Sequence, residues 1–305
     1  AIDKHLRGKA VYGIYSLLPD ETCCFLAMDF DDEGWQKDIS TLRDICVKKN
    51  IPIAIERSQS GNGAHAWFFF SDRISASSAR KFGTLLLTNA MTERHEIKFS
   101  SYDRLFPNQD TLPKGGFGNL IALPLQANAR KNDNSVFIDE NFQPYDDQWS
   151  FLSNIRILSD EDIDKYISQL GGSNELGDLR QSEDEDIHPW ERKRLDSKLN
   201  TDNLPDTVYI TKANMLYISK KGFSNKALNS LKRMAAFRNP DFYKAQAMRL
   251  PTYDKPRIIS LSDETPDYLC LPRGCEPDLV NMLSTLKADI EWVDATCSGR
   301  TVDVG

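Results

Sequence analysis

Three stretches of the chain carry residues whose types and spacing can do chemistry. The first is Asp29-Phe30-Asp31, which closes the apolar run from Cys23 to Met28. Side chains alternate along a strand, so the two carboxylates point to one side, about 7 Å apart. Two acids at a sheet edge repel, and each pKa rises unless a cation sits between them. A hard divalent ion with oxygen ligands, magnesium or manganese, resolves that repulsion. The plain alternative is an acidic turn, because Asp32 and Glu33 follow at once.

The second stretch is Glu56-Arg57-Ser58-Gln59-Ser60-Gly61-Asn62-Gly63-Ala64-His65-Ala66-Trp67. Ser60, Gly61 and Gly63 make a tight turn whose backbone N–H groups and small hydroxyls suit a phosphate cradle. His65 stands where the turn opens onto a strand, and Arg57 is of a type that pairs with phosphate oxygens. An ordinary hairpin with a structural histidine reads the same way. The third stretch, Tyr102-Asp103-Arg104-Leu105-Phe106-Pro107-Asn108-Gln109-Asp110, supplies a further carboxylate. Lys114, the turn Gly115-Gly116-Phe117-Gly118 and Arg130-Lys131 follow it. Asp is also a common turn former, which leaves a loop as the bland reading.

These residues need a frame. Residues 11–15, 23–28, 53–55, 64–70 and 96–99 read as strands, and an apolar run at 120–125 follows a loop rich in Pro and Gly. Helical spacing covers 35–49 and 77–92. The order strand, helix, strand, strand, helix, strand, with the last strand at 96–99, resembles a split βαβ sheet with helices on one face. The fold class expected is therefore α+β, an RRM-like core followed by a smaller α/β domain. The boundaries are 1–170 for the first domain, 171–200 for an acidic linker that includes Glu183-Asp184-Glu185-Asp186, and 201–305 for a basic accessory domain. Within that domain 208–210, 215–218, 257–261, 268–271 and 290–293 read as strands, and 225–237 and 277–286 as helices.

Charge bounds the partners. The formal net charge of −7 argues against indiscriminate nucleic-acid binding. Between Lys212 and Arg257, however, eleven Lys or Arg face only Asp241 and Asp254, a local balance of +9. Such asymmetry suits a phosphate-binding surface, with Lys226, Lys232 and Arg233 on the basic helix as candidate template contacts. A solvated helical face is the alternative. The six cysteines form no CxxC pair, which favours free thiols in a reducing cytoplasm over zinc or disulfides. No apolar run is long enough to span a membrane. The charged start without Met reads as an excised or processed fragment.

The order of carboxylate pair, small-residue turn with His, and later acid resembles the archaeo-eukaryotic primase superfamily. The strings "FLAMDFDDEGW", "IPIAIERSQSGNGAHAWFFF" and "YDRLFPNQDTLPKGGFGNLIALPLQ" resemble its primase–polymerase branch fused to superfamily-two helicases in mobile-element conflict (TOTE) systems. The likeness is close from His5 to Trp149. It continues into "AAFRNPDFYKAQAMRLPTYDKPRII" and "LCLPRGC", similar to the segment that leads to the helicase. It begins in mid-pattern near His5, so an earlier segment is expected. No Walker A motif is present, so the helicase motor lies outside this chain.

The resemblance implies a template-directed nucleotidyltransferase that synthesises or extends primers. Asp29, Asp31 and Asp103 would be the catalytic, metal-holding acids, with Asp110 the competitor for the third place. Ser60, Gly61, Gly63 and His65 would hold the triphosphate, helped by Arg57, Lys114 and Arg130. Two Mg2+ or Mn2+ ions are the implied cofactors. The implied partners are single-stranded DNA template and primer, nucleoside triphosphates and a helicase module. A metal-dependent nuclease and a non-catalytic nucleic-acid-binding module are the alternatives.

Overall fold

The computed structural model describes residues 1–171, 176, 199–297 and 299. It divides into two compact units, 1–177 with 239–257, and 178–238 with 258–305. Most of the acidic linker lies outside the described residues.

The first unit opens with α1 (Ile2–Leu6), β1 (Gly13–Tyr15), β2 (Thr22–Phe30), α2 (Trp35–Lys48), β3 (Ala54–Arg57), β4 (Ala64–Ser75) and α3 (Ala76–Glu93). A 3-10 turn (Phe99–Asp103) leads to β5 (Leu105–Phe106), followed by β6 (Leu120–Ala122), α4 (Ala127–Arg130), β7 (Val136–Phe137), α5 (Gln148–Asn154) and α6 (Asp160–Leu170). The main sheet runs β5-β2-β4-β3-β7. Every neighbouring pair in it is antiparallel, so β2 and β3 run the same way with β4 between them. β1 and β6 form a separate antiparallel pair.

Gly83 of α3 shows which sheet face carries the helices. A Cβ there would meet Leu26 at 2.8 Å, Met28 at 3.2 Å and Leu105 at 3.3 Å, so the helix lies close on that face. By alternation Phe25, Ala27 and Asp29 occupy the opposite face. Their cross-strand partners Phe69, Trp67 and His65 share it, and Glu56 lies opposite His65 on β3. The core is Leu26, Met28, Ile39, Leu42, Phe68, Phe82, Leu85 and Leu86, all almost wholly buried. Burying side chains of this size contributes on the order of 1.5–3 kcal/mol each.

The helix expected at 225–237 ends at Met234, with a strand at Ala236–Arg238, and two further departures bear on the first unit. Residues 96–99 form no strand; Ile97 and Phe99 are buried, and Phe99 stacks on Tyr102 at 6.5 Å, so the alternation reflects packing under a turn. The strand that pairs with β2 on the side away from β4 is β5, later in the chain. The second departure is α8 (Pro240–Ala247), capped by the Asn239 side chain on the Asp241 N–H. It falls in the 239–257 stretch that groups with the first unit, although its sequence lies inside the basic segment read as accessory.

The second unit contains β8 (Thr207–Lys212), β9 (Leu216–Ser219), α7 (Asn225–Met234), β10 (Ala236–Arg238), β11 (Ile258–Ser260), β12 (Asp263–Glu264), β13 (Tyr268–Leu271), α9 (Glu276–Thr285) and β14 (Asp289–Asp294). Its main sheet runs β12-β13-β9-β8-β14, with β14 parallel to β8. Val208, Ile210, Leu216, Ile218, Leu231, Leu269 and Leu279 make its core. The molecule is thus mixed α+β.

Candidate active site

Three neighbouring strands place three polar side chains in a line. Asp29 on β2 faces His65 on β4, and His65 faces Glu56 on β3. His65 Nδ1 lies 3.0 Å from Glu56 Oε2, and Nε2 lies 3.6 Å from Asp29 Oδ1. Glu56 Oε2 also accepts from Trp67 Nε1 at 2.9 Å, and Oε1 accepts from the Ser135 hydroxyl at 3.3 Å. A carboxylate buried to this degree needs such donors to remain charged. Glu56 thereby fixes the ring of His65 and leaves Nε2 toward Asp29. Burial pulls the His65 pKa down, but the hydrogen bond and charge of Glu56, with the charge of Asp29, outweigh it and raise the pKa above the usual histidine value.

Asp31 lies just past the end of β2. Its side chain is 55% exposed and that of Asp29 25%, so both reach solvent while Glu56 does not. Gly63 is what lets the β3–β4 turn lie against this strand end. A Cβ there would meet the Phe30 carbonyl oxygen at 2.6 Å and Asp31 Cα at 3.2 Å. Gly61 has φ +80°, a left-handed conformation that glycine adopts without strain. Ser60 Oγ accepts the Asn62 N–H at 3.2 Å and lies 3.1 Å from Ser58 Oγ, which shapes the turn.

The cations around the pair come from the chain itself. Arg104 forms an ion pair with Asp31, and its other terminal nitrogen lies 3.7 Å from Asp32. Lys98 lies 3.2 Å from Asp32. The Asp29 N–H donates to the Arg104 carbonyl at 3.0 Å, so Arg104 sits directly across from Asp29, one residue before β5.

Asp103 is not with them. Its carboxylate accepts the Arg257 N–H at 2.8 Å, and its charged neighbours are Arg257 and Arg80 of α3, the helix on the opposite face. Burial raises the Asp103 pKa by more than the Arg257 N–H and the two guanidinium charges lower it. Asp110 pairs with Arg80 and accepts from Gln246 Nε2 at 3.0 Å. Among the described residues no group of three or more His, Cys, Asp or Glu is arranged to hold a metal ion. The three-carboxylate set expected for two ions is therefore not assembled. The 3-10 turn directs Asp103 to the helix side one residue before the chain enters β5.

The expected helpers are mostly engaged elsewhere. Arg57 donates to the carbonyls of Asp133 and Phe142. Arg130 donates to the Leu6 carbonyl at 3.1 Å. Lys114 has an exposed side chain. In the second unit Lys226 is half-buried, whereas Lys232 and Arg233 are buried and Lys232 Nζ donates to Glu264 at 3.2 Å. Lys232 and Arg233 are thus packed inward on α7, which leaves little of either side chain at the surface to contact a template. Glu56 and Arg104 were given no role from sequence. Glu56 was legible as an acid two strand positions before the turn, but its pairing with His65 depends on the β3–β4 register.

A protein-family model for the archaeo-eukaryotic primase domain of TOTE conflict systems matches residues 1–166. The chain belongs to this family. Membership points to nucleotidyl-transfer chemistry of the primase–polymerase kind at the level of the superfamily. No curated protein matches the chain. The matched span ends at residue 166, whereas the compact unit that contains the primase domain also takes in Asn239–Arg257. No helix among the described residues is long and apolar enough to cross a membrane.

Proposed function

We propose that the chain is a template-directed primase–polymerase that joins nucleoside triphosphates at Asp29, Asp31 and His65. The observation that carries this is the Asp29–His65–Glu56 line across three strands, with Asp31 over the Gly63 turn. The β5-β2-β4-β3 order supports the RRM-like split βαβ reading of the core.

The donor set suits a divalent ion. Two solvent-reaching carboxylates at one strand end offer hard oxygens, and magnesium commonly takes one or two carboxylates and completes its shell with water and substrate phosphates. Asp29 and Asp31 would hold it. When bound, such an ion neutralises phosphate charge and lowers the pKa of the attacking hydroxyl. The remaining work falls to the chain. Glu56 accepts the Nδ1 proton of His65, and its charge with that of Asp29 favours the imidazolium, whose Nε2–H can be donated to a phosphate oxygen. The 60–63 turn aligns the triphosphate with backbone N–H groups. Positioning and charge dominate phosphoryl transfer, so a short polar line of this kind suffices.

Template, primer strand and nucleoside triphosphates are the proposed partners, with a helicase module supported by sequence resemblance alone. The test is nucleotide incorporation with Mn2+ or Mg2+ on single-stranded DNA, with and without an annealed primer. Products that vanish in Asp29→Asn/Asp31→Asn support the reading. Metal-dependent template cleavage without nucleotides would instead identify a nuclease, and template binding with neither activity a binding module.

A further inference from the structure

We propose that Arg104 is an exchangeable counter-ion: it holds Asp31 in the nucleotide-free protein, yields that carboxylate to the divalent ion, and moves onto the phosphates of the incoming nucleotide. This rests on the reading of Asp29 and Asp31 as the metal carboxylates. Arg104 lies one residue before β5, directly across from Asp29, whose N–H its carbonyl accepts. A cation rather than an acid stands there, and it pairs with Asp31 and approaches Asp32.

Charge balance explains why. Asp29, Asp31, Asp32 and Glu56 crowd the site, opposed by His65, Arg104 and Lys98. Glu56 is buried and bonded by three side chains, so its partner set is fixed. Asp31 is the most exposed of the four, and Arg104 itself is 30% exposed. An ion pair this open is weak and salt-screened. A divalent ion outcompetes a single guanidinium for a carboxylate at the same place. The released guanidinium stays tethered within reach of whatever binds Asp31, and its fork matches phosphate oxygens in a bidentate way. Of the remaining groups near it, Lys98 is a like charge, and Asp32, 3.7 Å from Arg104, has Lys98 as its nearer partner at 3.2 Å.

The test uses the full chain and two probes, Mn2+ alone followed by electron paramagnetic resonance, and a nonhydrolysable deoxynucleoside triphosphate followed by calorimetry. Arg104→Gln is expected to bind Mn2+ about threefold to tenfold more tightly than wild type, because the competitor is gone. The same variant binds the nucleotide analogue with Mn2+ about tenfold more weakly, with Arg104→Lys between the two. Asp31→Asn frees Arg104, so in EDTA it binds the analogue more tightly than wild type. Thermal melts of Arg104→Lys guard against a folding artefact.

Unchanged or weaker Mn2+ binding in Arg104→Gln, while Asp31→Asn loses it, overturns the exchange and leaves the metal carboxylates standing. Tighter Mn2+ binding with unaltered nucleotide affinity also overturns it, since transfer to phosphate is part of the proposal. Mn2+ affinity that ignores both Asp29→Asn and Asp31→Asn removes the metal reading, and this inference with it.

Discussion

Two acid-bearing regions of the first unit use their carboxylates in opposite ways. Around the end of β2, Asp29 and Asp31 reach solvent, and their partners come from nearby in the sheet: His65 from β4, and Arg104 from just before β5. In the loop from Asp103 to Asp110, Arg80 of α3 pairs with Asp110, and the other partners come from 239–257, more than a hundred residues later. Arg257 gives its N–H to Asp103 and its guanidinium to the Asn108 carbonyl, and that guanidinium stacks over Phe242 at 4.4 Å. Gln246 receives the Asp110 N–H at 3.3 Å and donates to its carboxylate at 3.0 Å. Thr252 donates to Gln109 at 2.8 Å, and the Lys114 N–H donates to the Arg249 carbonyl at 3.0 Å. The first region keeps its acids available, and the second uses them as fasteners. An acid's type and spacing do not distinguish these roles, because the source of its partner decides.

The comparison breaks most sharply on catalysis. Asp29→Asn is expected to lower incorporation by about a hundredfold or more while the urea midpoint stays near wild type. Asp103→Asn lowers activity only as far as it lowers the folded fraction. An Asp103→Asn protein that is fully folded and as inactive as Asp29→Asn would restore the third-acid reading and break the division.

Arg257→Met tests the other region. Removing a fully buried guanidinium that serves Asn108 and offsets Asp103 should cost about 3 kcal/mol, read by urea denaturation. Burial, with Arg80 alongside, already lowers the Arg257 pKa to about 10, so it remains charged at neutral pH and its loss leaves Arg80 as the remaining guanidinium near Asp103.

Gly63→Ala probes the contact that brings the turn to the strand end. The added methyl meets backbone at 2.6 Å, so about 1–3 kcal/mol is lost, and nucleotide affinity falls as the turn shifts.

The smallest effect is in pH. The folded His65 pKa lies above its unfolded value, so its contribution to stability is full below about 6.5 and fades as pH rises through the folded pKa. Glu56→Gln removes the largest raising contribution, so the imidazole should titrate at lower pH in an NMR titration. An unmoved titration would mean that Glu56 does not hold the ring.

Much of the first region was legible. Alternation in the run to Asp31 put both acids at a strand end, and Gly61 and Gly63 marked the turn before His65. The helices at 35–48 and 76–93 follow from their apolar spacing. The helix α6 was not read from the sequence, although Ser159 and Asp162 form a capping box at its start. Asn239-Pro240-Asp241 likewise carries a helix-start signal, but nothing in it says which unit the helix joins. The strand at 96–99 was mistaken because two buried residues two apart mimic a strand within a turn.

The sequence by itself determined the chemistry available: two acids at a strand end, a glycine turn with a histidine, and the family those strings belong to. These are local properties, set by side-chain alternation and backbone conformation over a few residues. Only the tertiary structure decided that Glu56 holds His65, that Arg104 rather than an acid faces Asp29, and that Asp103 and Asp110 are tied to the 239–257 stretch. Each depends on strand register or on contacts between residues far apart in the chain, and a carboxylate carries no local mark of which distant donor will reach it.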